Sequence, residues 1–114
     1  MKKTVKEQNF LENIPVRRED INFTSDQNGI VTLEIENKGV FKFLTQKLLK
    51  KPRVSYIHLD KIGSFIWLQT DGERDIIAIG EAAKEHFGEE IEPLYERLAK
   101  YFQILQSYGF VSYK

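Results

Sequence analysis

The chain has 114 residues, 41% of them hydrophobic and 12% aromatic, and its 17 basic and 17 acidic side chains cancel. That length fits one domain with one modest core, and the composition is globular rather than disordered. The absence of cysteine excludes disulfides, iron–sulfur ligation and thiolate zinc sites, and fits a cytoplasmic protein. No apolar run approaches the roughly 20 residues that span a membrane, and the basic start MKKTVKEQNF lacks the apolar stretch of a signal peptide.

The charges are unevenly placed. Residues 1–57 carry a net +4 and residues 58–114 a net −4, with the basic excess densest in QKLLKKPR, residues 46–53. An ordinary solvated face accounts for this. A docking surface for an acidic partner, through Lys50, Lys51 and Arg53, is the sharper reading.

In chain order, residues 1–14 are polar with scattered apolar positions, and Pro15 interrupts any helix. A flexible arm is expected there. Asn28-Gly29 predicts a hairpin with a type I′ turn, which needs positive φ at both central residues. Its first strand, 21–24, is short. Its second, 30–36, alternates Val31, Leu33 and Ile35 against Thr32, Glu34 and Glu36, the pattern of a half-buried strand. Val40, Phe41, Leu44, Leu48 and Leu49 recur at helical spacing, so an inserted helix is expected over 40–51, stopped by Pro52. RVSYIHL predicts a strand with Val54, Tyr56 and His58 on one face and Ser55, Ile57 and Leu59 on the other.

Asp60 is placed to cap a helix whose face is Ile62, Phe65, Ile66 and Gln69, closed by Asp71-Gly72. Asp75 caps a second, with Ile76, Ile79, Ala83 and Phe87 inward and Gly88 at its end. A third runs from about Glu90 to Ser107 with Pro93 in its first turn. Its stripe is Ile91, Leu94, Tyr95, Leu98, Phe102 and Leu105, with Tyr101 beside it. FVSY forms a tail. These elements predict one α+β domain of winged helix-turn-helix type: a small three-stranded antiparallel sheet packed with three C-terminal helices, plus one inserted helix.

Motifs for chemistry are missing. The two histidines, His58 and His86, stand 28 residues apart, and no metal-ligand spacing, nucleophile elbow or phosphate loop occurs. His58 reads as a residue on a strand face and His86 as a cation at a helix end. The many glutamates read as solvated helix faces. Gly63 and Gly80 fall inside helices, where close packing explains them better than phosphate approach. A DNA-reading third helix would carry Glu89, Glu90, Glu92 and Glu96 against Arg97, and phosphates would be repelled. No catalysis, cofactor or metal is expected.

The run LDKIGSFIWLQTDGERDIIAIGEAAKEHFG, residues 59–88, followed by LQSYGFV at 105–111, resembles the PqqD-like family, named for pyrroloquinoline quinone biosynthesis protein D. The matching positions are Leu59, Gly63, Ile66, Trp67, Asp71, Gly72, Ile76, Ile79, Phe87, Gly109 and Phe110. Asp60 stands where the family usually has Asn, Gly63-Ser64 replace an Ala pair, Gly80 replaces an alanine, and the link over 40–51 is longer. The resemblance implies a RiPP recognition element. Such proteins are non-catalytic, hold the leader of a ribosomally made precursor peptide as an added strand, and present it to a modifying enzyme, often a radical SAM enzyme.

An open strand edge can accept an extended peptide on physical grounds alone. The candidate edge is Val54, Ser55, Tyr56, Ile57, His58 and Leu59. The candidate groove wall is Leu94, Leu98, Tyr101, Phe102 and Leu105. Tyr101 is expected to be partly exposed with a wet hydroxyl, while Leu98, Phe102 and Leu105 read equally as core. Alternatives are a winged-helix nucleic-acid binder and a scaffold subunit of a modifying enzyme. The open edge also permits a homodimer.

Overall fold

The computed structural model describes residues 9–37 and 53–114. The insert expected over 40–51, with Lys50 and Lys51, lies outside the described residues. Among the described residues, Asn9, Phe10 and Leu11 are helical, and five strands and three longer α-helices follow. They are β1 (Pro15–Arg17), β2 (Asn22–Ser25), β3 (Val31–Asn37), β4 (Arg53–His58), α1 (Lys61–Gln69), α2 (Ile76–Phe87), α3 (Leu94–Ser107) and β5 (Val111–Tyr113). β2, β3 and β4 form an antiparallel sheet in that order, with Leu33 opposite both Phe23 and Ile57. The fold is therefore α+β, a small three-stranded antiparallel sheet with helices.

The alternation in β3 decides which way the sheet faces. Val31, Leu33 and Ile35 are buried, and the helices supply Ile66, Trp67, Ile76, Ile79, Leu98 and Phe102 to the same core. Trp67 meets Phe23 edge-on, with ring centroids 5.9 Å apart.

The β2–β3 hairpin forms, but not through a type I′ turn. Only Gly29 takes positive φ (80°), and Asn28 does not. Asp26 explains the difference. Its carboxylate accepts from the N–H groups of Asn28 (2.8 Å) and Ile30 (2.9 Å), while its carbonyl accepts from Gly29 N–H (2.9 Å). That is a type I turn followed by a left-handed glycine, the next commonest hairpin closure.

The helix caps lie where the sequence placed them. Asp60 accepts from Gly63 N–H (2.6 Å) and Asp75 from Ala78 N–H (2.8 Å), and Gly88 ends α2 at φ 63°. Between α1 and α2, Asp71 accepts from the N–H groups of Glu73 and Arg74. These bonds hold its carboxyl at about 2, below the ordinary 3.8. The buried face of α1 is shifted from the expected one: Gly63, Ser64, Ile66 and Trp67 are buried, while Ile62, Phe65 and Gln69 are half-buried.

α3 begins at Leu94, not Glu90. Pro93 forces its predecessor out of helical geometry, so Glu92 is extended and a 3₁₀ turn, Gly88–Ile91, takes the preceding residues. A Cβ on Gly80 would stand 2.5 Å from Leu98 Cδ1, and one on Gly63 3.3 Å from the Tyr101 ring. Both helical glycines therefore allow close approach to α3.

A second, two-stranded sheet pairs β1 with β5, Val16 opposite Ser112. It docks part of the segment expected to be a flexible arm. Leu11 is fully buried, and the carbonyls of Asn13 and Ile14 accept from the N–H groups of Ile76 (3.0 Å) and Lys114 (2.9 Å).

Ser64 joins sheet to helix. Leu59 N–H donates to Val31 O (2.9 Å), but the return bond of that pair is replaced by a bridge. The buried Ser64 hydroxyl accepts from Val31 N–H (2.9 Å) and donates to Leu59 O (3.3 Å). Ser64→Ala removes the bridge and orphans a buried N–H. It is expected to lower stability by about 1–3 kcal/mol, read in urea unfolding as a lower midpoint at unchanged slope.

Candidate functional site

β4 has one side in the ladder with β3, and among the described residues no strand pairs with the other. Because Leu59 N–H points to β3, strand geometry turns the N–H and C=O groups of Ser55 and Ile57 the same way. Those of Val54, Tyr56 and His58 then point to the open side. On the solvent face of the sheet, Val54 is 38% and Tyr56 62% exposed. His58 Nδ1 lies 2.8 Å from Thr32 Oγ1. Ser55, Ile57 and Leu59 are half-buried on the opposite face.

Beside the C-terminal end of β4 an apolar groove of about 570 Å³ opens toward α3. Leu33, Ile57 and Leu59 line it from the sheet side, and Ile104, Leu105, Tyr108 and Phe110 from the helix side. His58, Asp60, Gly63 and Tyr101 complete it. Its volume falls in the range of roughly 300–1,000 Å³ typical of ligand pockets.

The sequence-predicted wall is only partly in the groove. Leu94, Leu98 and Phe102 are buried in the core and do not line it. They form the most apolar row of α3, and that row faces the core shared with α1 and α2. The groove is faced by the adjacent row of Tyr101, Ile104 and Tyr108, with Leu105 serving both. Ile104 (46% exposed) and Tyr108 (68%) were not among the predicted residues. Ile104 stands three residues after Tyr101 and Tyr108 four after Ile104, a second helical row visible in the sequence.

Tyr101 is half-buried, but its hydroxyl is not wet, because it donates to Gly63 O (2.8 Å). Burial, helped by the negative charge of Asp60, drives its ionisation far above the ordinary tyrosine range. Tyr101 therefore acts as a neutral strut between α1 and α3. Of the proposed charged docking residues, Arg53 is the first residue of β4.

Neither His86 nor Trp67 reaches the groove. The His86 ring stacks on Phe65, centroids 4.6 Å apart, and Trp67 is core. Among the described residues no three His, Asp or Glu side chains are grouped to hold a metal, and no helix is long and apolar enough to cross a membrane.

The described residues thus form an α+β domain in which β4, unpaired on one side among them, borders an apolar groove. The family described as Coenzyme PQQ synthesis protein D (PqqD) matches residues 46–111, more than half of the chain, and the chain belongs to that family. The match takes in β4, α1, α2 and α3, so every described residue lining the groove except Leu33 of β3 lies inside it. Comparison with curated proteins and with solved structures finds no match.

Proposed function

We propose that this chain is a non-catalytic peptide-binding module of the cytoplasm. It captures the leader of a precursor peptide by strand addition along β4 and presents the peptide to a modifying enzyme, of the radical SAM type. The observation that carries the reading is the continuity of the open side of β4 with the apolar groove under α3. Backbone bonds to Val54, Tyr56 and His58 give affinity for any extended chain. Alternate side chains of that chain turn into the groove and give selectivity. Family membership supports an accessory role beside an enzyme. The apolar lining and Glu89, Glu90, Glu92 and Glu96, in and just before the first turn of α3, weigh against nucleic acid as the ligand.

Hydrogen exchange tests this directly, using the peptide that copurifies with the chain from its native cell. Val54, Tyr56 and His58 are expected to gain protection on binding. Ser55 and Ile57, already bonded to β3, should change little. Protection without this alternation, or protection confined elsewhere, would overturn strand addition. Protection that rises with protein concentration alone would assign the edge to a second copy of the chain. A chain that binds an enzyme and no peptide would be a scaffold.

A further inference from the structure

The apolar groove does not end at Asp60. A second cleft of about 230 Å³ continues from it between α1 and α3, and the two share Asp60, Gly63, Tyr101 and Ile104. Arg97 and Lys100 stand on the wall of this cleft. Both are exposed, and neither is in an ion pair among the described residues. Lys61 nearby is already held by Glu90 at 3.1 Å. Among the described residues the one carboxylate lining the cleft, Asp60, is engaged as the cap of α1 through Gly63 N–H. Among the described residues the groove thus runs from an apolar half to a half with two cations outside any ion pair and one engaged anion.

The order along a bound chain follows from strand direction. β4 runs toward Asp60, and every pair in its sheet is antiparallel. An added antiparallel strand runs away from Asp60, so residues over the α1–α3 cleft precede those on the edge of β4. From this geometry we infer that the peptide accepted here carries one or two Asp or Glu residues on the N-terminal side of its apolar anchor, met by Arg97 and Lys100. The inference rests on the peptide-binding reading and adds a charge requirement and a direction to it.

The test selects displayed random-sequence peptides on the immobilised full chain and measures the affinity of a recovered peptide by fluorescence anisotropy. Asp or Glu is expected to be enriched ahead of a large apolar residue. The variant R97Q/K100Q should weaken binding about five- to tenfold, since two rim ion pairs are lost. The loss should shrink near 1 M salt, where the screening length falls to about 3 Å. Peptides that protect Val54, Tyr56 and His58 yet show no acidic enrichment, or an acid on the C-terminal side, would overturn this inference and leave the groove reading standing. So would an unchanged affinity in R97Q/K100Q. Recovery of no peptide, or of peptides that leave those amides unprotected, would overturn both.

Discussion

Phe102→Ala is expected to lower the unfolding free energy by about 3–5 kcal/mol. Phe102 is fully buried in the middle of the α3 core row, between Leu98 and Leu105. Its ring meets Tyr101 edge-on at 5.1 Å, and its carbonyl accepts from the Tyr113 hydroxyl (3.3 Å), tying α3 to β5. Truncation opens a cavity in the core that α3 shares with β3, α1 and α2, and close-packed neighbours collapse into such a space only partly. A domain of this size has about 5–15 kcal/mol in total, so the loss is a large fraction of it. Ile104→Ala, two positions on, removes a half-exposed side chain and should cost less than about 1 kcal/mol. Urea unfolding of the two variants separates the rows. Equal destabilisation would mean that Ile104 is core and that the groove is closed.

How far this arrangement was legible in the sequence depends on the range of the interaction. The caps at Asp60, Asp75 and Gly88 act within four residues, and the sequence placed all three. The alternation of β3 and β4 was equally plain, because period two is a local property with one buried face. The Asn-Gly hairpin was seen but its turn was misassigned, since Asp26 outbids the local preference of Asn28 with two side-chain bonds. The apolar stripe of α3 reaches back to Ile91 but the helix does not, because Pro93 holds Glu92 extended.

Longer-range features were not legible. β1 and β5 are three residues each, too short for a periodic signal, and lie at opposite ends of the chain. The Ser64 bridge depends on α1 meeting the β3–β4 ladder across 33 residues. In the candidate site, apolarity selected the α3 row that the core needs most. A binding row is less apolar by necessity, because it stands in water until the ligand arrives. Tyr101, Ile104 and Tyr108 fit that description, and only Tyr101 was chosen.

The sharpest test of strand addition is a proline at Tyr56, expected to reduce affinity for the copurifying peptide by about 10- to 100-fold. The Tyr56 N–H points to the open side of β4, so proline removes a donor offered to the ligand and none used by β3. A bound strand would then leave one carbonyl unpaired at the centre of its ladder, a loss of roughly 1–3 kcal/mol. Proline is tolerated at edge positions whose N–H faces away from the sheet, so the fold should survive. Ile57→Pro gives the contrast. Its N–H faces Leu33 across the ladder, and removing it should cost roughly 1–3 kcal/mol of stability. Tyr56→Ala separates backbone from side chain. It keeps the N–H and removes only a ring that is 62% exposed on the solvent face, so affinity should change little. If alanine weakens binding as much as proline, the ligand lies on the solvent face of the sheet and the backbone edge is not its site.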